Sequence, residues 1–458
     1  MKDEFKNSSG TVALVEHAYD VGGLPTWRHE SLMQAKNPAA YWSKEYTHDT
    51  LGRLTKARRG KVNNWGTEPT LETTSPVPYV WDWSQTDGSG KAGLDKLGNW
   101  NWLRYGDLGS EQTDDRGHNG ANEVTSWSRA NREAPTWDDN GNLTCDGRTD
   151  HQVFGTSTRL HFEYDYRNHL RRVSDDQDRT VAAYEYDGLN RRVRKTTVDV
   201  EEAVTSDVWY LWDGWQCVEE RDLNTAGQPV LRQHVYGPGY VDHHAALVDA
   251  QGAVYYYLQD RMANVVALAD STGAVVERYA YEPYGGVTIT DETGQTVRGA
   301  SAYGNAYAFT GRYWDAEAGL YYFRNRWYSP DLGRFTSRDP MGYVDGGSLY
   351  AYVNGMPDGS VDPLGLKLYI IDDDKPVKGI EKVDWDGNPK HKPKVERKER
   401  KFREWVIREL QKLFPEIKIK ETDKKGVYEV VINREKLDGK NLERTLREKY
   451  RNDPRVRV

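Results

Sequence analysis

The sequence predicts a mainly β protein: a long antiparallel sheet built hairpin after hairpin, followed by a small α+β domain. Three observations predict it. A tyrosine–aspartate unit recurs between residues 40 and 335, helical periodicity is poor over the same stretch, and the composition changes abruptly after Leu366.

The repeat is clearest in two copies 22 residues apart, EYDYRNHLRR (163–172) and EYDGLNRRVR (185–194). Glu163, Tyr164, Asp165, Asn168 and Arg172 meet Glu185, Tyr186, Asp187, Asn190 and Arg194. Weaker copies are YTHDTLGRLTKARRG (46–60), TWDDNGNLTCDGR (136–148) and YLWDGWQCVEE (210–220). Asp, Asn and Gly support turns and positive φ, and the flanking aromatic and β-branched residues suit strands. A period near 22 fits two strands of about eight residues plus their turns. Each hairpin is then expected to bury a face against its neighbours, as repeat proteins do.

Composition divides the chain in the same place as the repeat ends. The whole chain has a net charge of −8, yet residues 367–458 hold 27 Lys+Arg against 19 Asp+Glu, a net +8. Residues 1–366 are therefore at −16, and they carry 27 of the 30 tyrosines and 38 of the 42 glycines. Mean hydropathy is −0.87, and no apolar run approaches the roughly 18 residues of a bilayer span. The opening MKDEFKNSSG has no apolar segment after its charges, so no signal peptide is expected in it, and any export is expected to use a route not encoded here or an upstream region. Two cysteines, Cys145 and Cys217, allow one bridge at most and exclude a disulfide scaffold.

The tyrosine–aspartate units resemble the YD repeats of Rhs proteins, Tc toxin C-subunits and teneurins. Residues 309–366 resemble the Rhs repeat-associated core, most densely in GRYWDAEAGLYYFRNRWYSPDLGRF (311–335). The stretch ends in Pro357-x-x-x-x-Asp362-Pro363-x-Gly365-Leu366, which is similar to the boundary motif of that family. The resemblance implies a β shell over 1–308, a closing core over 309–366, and a variable, toxin-like cargo domain over 367–458. It also implies a cognate immunity protein, and a secreted or cell-surface protein whose effector acts in a target-cell cytoplasm. The shell is short for the family, which leaves open whether it encloses the tail and whether the chain is part of a longer protein.

Two Asp-Pro pairs, Asp339-Pro340 and Asp362-Pro363, stand 23 residues apart. Asp-Pro is ordinary turn punctuation, but the resemblance implies an aspartyl protease acting on its own chain after Leu366, between Leu366 and Lys367. Such chemistry needs one ionised carboxyl to activate water and one protonated carboxyl to donate to the carbonyl or the leaving amine. Two carboxyls held close achieve this because both cannot ionise cheaply. Arg338, beside Asp339, is expected to hold one carboxylate ionised or to stabilise the oxyanion. Asp362 is the first choice for the second acid, with Asp345 and Asp358 as alternatives. No cofactor is expected in the core.

Past Leu366 the pattern reads β-α-β-β-α-β. LYIID (368–372), EIKIKE (416–421) and GVYEVVIN (426–433) suit strands, and Phe402 to Phe414 and Leu442 to Tyr450 fall at helical spacing. Asp372, Asp373 and Asp374 close a predicted strand, and Asp384, Asp386 and His391 lie in a polar loop. A nuclease site, with Mg2+ or without metal, can be built from these; they equally fit a solvated strand end and a turn. The basic charge suits nucleic acid, although runs such as VERKERKFRE interleave signs as a solvated helix does. The leading expectation is a nuclease effector. The alternatives are a nucleic-acid- or protein-binding module, and a non-enzymatic surface or adhesion protein with an inert tail.

Overall fold

A computed structural model describes residues 2–370, apart from 8–9, 21–22, 31–42, 66, 74–77, 87–88 and 238–239, together with 418–421 and 428–431. All strand pairs among the described residues are antiparallel, and the helical elements there are two 3-10 turns at Phe309–Gly311 and Val353–Gly355, with no α-helix. A nine-stranded sheet runs from Lys2–Asn7 to Val124–Trp127, and a fifteen-stranded sheet runs from Thr136–Trp137 to Val297–Arg298. In both, strands pair in chain order, so each hairpin is laid down beside the one before it. The chain divides into two compact units, Met1–Lys382 and Val383–Val458.

The repeat positions have separate jobs in this architecture. Asp187 accepts the backbone N–H of Leu189 at 2.8 Å and of Arg191 at 3.0 Å, and Asp165 does the same for Arg167 and His169. These Asx turns close each hairpin. Asn168 and Asn190 take φ of 63° and 66°, the left-handed conformation that Asn tolerates better than most residues. Glu163 lies opposite Arg172 and Glu185 opposite Arg194, each pair joined by a hydrogen-bonded ion pair across the strands. The aromatic before the aspartate reaches back to the preceding hairpin. Tyr186 donates to the Leu170 carbonyl, and Trp212, just before Asp213, donates to that of Arg192. The repeat is thus a turn, a cross-strand pair and a tie to the previous hairpin.

Residues 309–366 fold as a compact insert rather than as more shell. Four short strands, Tyr313–Asp315, Leu320–Tyr322, Trp327–Ser329 and Arg334–Phe335, make a separate sheet. One buried cluster joins Leu54, Trp81 and Leu103 of the first sheet to Leu247 and Tyr279 of the second. Phe309, Tyr321, Phe323, Tyr328, Phe335 and Tyr352 of the insert fill it. A charged pin fixes the insert to the second sheet: Arg192, fully buried among Tyr184, Tyr210, Tyr313 and Tyr322, pairs with Asp315 at 2.9 Å. Lys195 meets the same carboxylate at 2.9 Å, so two buried cations hold Asp315, and removing the aspartate would leave both without their anion.

The seam lies within the first compact unit. Ser360–Val361 pairs antiparallel with Tyr369–Ile370, so the chain crosses Leu366 inside a hairpin attached to the core. In the second unit, Lys418–Glu421 pairs with Tyr428–Val431 as a hairpin within the two segments expected to be strands. The helices expected around 402–414 and 442–450 lie outside the described residues. So do Asp372, Asp374, Asp384, Asp386 and His391.

Candidate active site

The seam is held by a polar triplet set in an aromatic run, Phe323-Arg324-Asn325-Arg326-Trp327. Arg326 is 3% exposed, with its guanidinium 3.6 Å from the centre of the Phe335 ring. Its Nη2 atom meets Asp339 Oδ2 at 2.8 Å and Asp362 Oδ2 at 3.3 Å. One nitrogen therefore gathers both aspartates of the two Asp-Pro pairs, and their oxygens lie closer together than the sum of those distances.

Asp362 also touches the seam itself. Its Oδ1 accepts the backbone N–H of Leu366 at 3.0 Å and of Lys367 at 3.1 Å, and the second of these is the nitrogen of the Leu366–Lys367 bond. Burial pushes the Asp362 carboxyl up to about 6, and the neighbouring Asp339 adds to the rise; Arg326 and the two backbone N–H groups oppose it. Burial raises Asp339 above the usual carboxylate range as well, while Arg326 and the N–H of Met341 pull it down. Burial likewise raises Asp345, whose Oδ2 accepts the N–H of Leu368 at 2.7 Å.

The boundary motif supplies the shape. Gly365 has φ of +66°, and a Cβ there would stand 2.7 Å from the Phe323 carbonyl oxygen. Pro357 and Pro363 are buried, and the Pro363 carbonyl accepts from Arg312 at 3.1 Å and from Arg324. Those two arginines both pair with Asp242, from the loop that precedes the shell strand His244–Asp249.

Of the residues expected at the site, Asp339, Asp362, Gly365, Leu366 and Lys367 come together, and Asp345 stands one residue further along. Two expectations are corrected. Arg338 turns away from the carboxylates and donates to Glu123 at 2.7 Å and to the Tyr350 hydroxyl at 3.2 Å. The cation expected of Arg338 is supplied by Arg326. Asp358, an alternative second acid, is instead bonded to His48 Nε2 at 2.8 Å. A signal for Arg326 was present in the sequence: two arginines and an asparagine interrupt a run otherwise made for a core.

Shell, insert and seam together define a class: YD-type proteins whose stacked β hairpins close on a core bearing a carboxylate pair at its boundary. No family model matches the chain. It is 30% identical over 268 residues to the tRNA3(Ser)-specific nuclease WapA of Bacillus spizizenii, covering 57% of this chain and 10% of that one. It is 30% identical over 243 residues to the toxin protein Tse5 of Pseudomonas aeruginosa, with 46% and 18% covered. It is 27% identical over 369 residues to the probable deoxyribonuclease RhsB of Dickeya dadantii, with 79% and 23% covered. The Tc holotoxin pore of Photorhabdus luminescens shares the fold at a TM-score of 0.57 and 20% identity, covering 80% of this chain and 17% of that one. The chain is similar in sequence to these Rhs-type proteins and shares its fold with the Tc toxin. It spans less than a quarter of the length of each of these relatives.

Proposed function

We propose that the chain carries the shell, core and effector of an Rhs-type polymorphic toxin, and that the core cuts its own Leu366–Lys367 bond. The observation that carries the cleavage reading is the contact between Asp362 and the N–H of Lys367, with Asp339 held on the same arginine nitrogen. Asp339, with the shorter contact to Arg326, acts as the ionised base. It takes a proton from water as the hydroxide adds to the Leu366 carbonyl carbon. Asp362, whose carboxyl burial pushes up to about 6, in its protonated form gives its proton to the Lys367 nitrogen as the carbon–nitrogen bond breaks. The products are a carboxyl group on Leu366 and a free amine on Lys367. Substrate recognition is supplied by tethering, which places the bond at high effective concentration beside the acids.

For the freed residues 367–458 the proposal is a nuclease effector acting in a target cell, with an immunity protein as its natural partner. The nuclease names of two relatives and the net charge of +8 support that class; Asp372, Asp374, Asp384, Asp386 and His391 are its proposed site, with Mg2+ as the candidate metal. The test is direct. Purified protein, denatured and weighed by mass spectrometry, should give one fragment ending at Leu366 and one beginning at Lys367. Both Asp339→Asn and Asp362→Asn should leave the chain whole, because an amide cannot exchange the proton. A chain that stays intact under every condition in which it folds would overturn the cleavage reading.

A further inference from the structure

The contacts along the seam follow a count. Arg312 and Arg324 donate to the carbonyl of Pro363. Asn325 donates to that of Leu364 twice, from its backbone N–H at 3.2 Å and from Nδ2 at 3.0 Å. Arg326 Nε donates to that of Gly365 at 2.6 Å. Three consecutive side chains thus hold three consecutive carbonyls in order. Immediately afterwards the pattern switches to N–H groups: Asp362 takes those of Leu366 and Lys367, and Asp345 takes that of Leu368. Among the described residues no hydrogen bond reaches the Leu366 carbonyl oxygen, the one carbonyl of the four that a nucleophile must approach.

We propose that Arg324, Asn325 and Arg326, with Asp345 on the far side, are the register-setting residues of the seam. They select the peptide bond by its distance along the backbone from Pro363, and not by the leucine side chain that precedes it. This rests on the cleavage reading above and adds to it the basis of its specificity. Every gripping contact ends on a main-chain atom, so the grip itself does not distinguish Leu366 from another residue at that position. Gly365 is the exception that the count requires, since its φ of +66° and the closeness of the Phe323 carbonyl exclude a side chain. Charge-assisted bonds from buried arginines to carbonyls are among the stronger hydrogen bonds, and here they come from a strand-linked segment packed into the aromatic core. The ruler is therefore rigid. These are positioning residues; none of them needs to exchange a proton with the scissile bond.

The experiment moves the side chain relative to the backbone. In full-length protein, an alanine is inserted between Gly365 and Leu366, and fragment masses are read after denaturation. A backbone ruler cuts after the inserted alanine, leaving Leu366 at the start of the released piece. Recognition of leucine would cut after Leu366 and overturn the proposal, as would a folded variant that is not cut. Leu366→Ala is the companion, for it changes the side chain and leaves each gripped main-chain atom in place. Cutting between residues 366 and 367 is expected, and loss or movement of that cut in a folded chain overturns the proposal. Asn325→Ala, which removes the Nδ2 donor, should slow cutting about tenfold without shifting thermal unfolding by the same factor. An unchanged rate would count against Asn325. If the unaltered protein is not cut at all, it is the cleavage reading that has failed, and the ruler falls with it.

Discussion

Asp362 accepts a hydrogen bond from the N–H of Lys367 at 3.1 Å, five residues further along the same chain. The acid therefore sits on the nitrogen that would leave in the proposed cut, inside a hairpin short enough to hold both ends. Its other oxygen meets Arg326, which carries Asp339 as well.

That arrangement separates two arginines that are alike in composition. Arg326→Gln leaves both aspartates without their cation and the Gly365 carbonyl without its donor. It should reduce self-cleavage by about a hundredfold and destabilise the fold by about 3–5 kcal/mol, the usual cost of breaking a buried pair. Arg338→Gln loses a partly exposed pairing with Glu123, which is worth about 1 kcal/mol or less, and should still cut. Fraction cut against time on a denaturing gel reads both. Equal losses would show that Arg326 has no special place.

The proton on Asp362 gives the pH dependence a sign. Its folded value, about 6, lies above its ordinary value of 3.8. Its protonated form therefore favours the folded state. That stabilisation is full below the ordinary value and is lost as pH rises through about 6. Cutting should decline over the same rise, because an ionised Asp362 has no proton for the leaving nitrogen. Rates measured from pH 4.5 to 8, about that range, should show a falling limb near 6, and a rate that climbs steadily through 7 would reverse the assignment. Asp362→Asn, which cannot titrate, should show a flatter dependence of thermal stability on pH than the unaltered chain.

In the shell, Asn190 holds φ of 66° beside the Asx turn of Asp187. Asn190→Gly should be nearly neutral, since glycine adopts that conformation freely. Asn190→Val should cost about 1–2 kcal/mol. Thermal unfolding of the two variants side by side tests this, and equal melting temperatures would mean the turn relaxes.

The tail prediction concerns binding before chemistry. Residues 367–458, expressed alone, should bind nucleic acid with an affinity that falls steeply as salt rises. If they also cut it, Asp372→Ala and His391→Ala should abolish cutting. A folded tail that neither binds nor cuts DNA or RNA would remove the nuclease reading and favour a protein target.

The sequence by itself determined the repeat and its punctuation. Asp165, Asp187, Asn168 and Asn190 act within a few residues of themselves, so their turn chemistry is written locally and can be read from spacing alone. Likewise the boundary motif from Pro357 to Leu366 marked the seam, and the two Asp-Pro pairs named both carboxylates that Arg326 gathers. What the sequence could not place was the cation. Arg338 was adjacent to Asp339 and chemically right, yet its side chain bonds Glu123 and the Tyr350 hydroxyl instead. Arg326, 13 and 36 residues from its two partners, was brought to them by the burial of Phe323, Tyr328 and Phe335 around it. The grip on the carbonyls of Pro363, Leu364 and Gly365 has the same origin. Such contacts join main-chain atoms to distant side chains, and main-chain atoms carry no sequence signal. Only the packing of the insert between the two sheets decided which arginine faced the acids and which peptide bond lay under them.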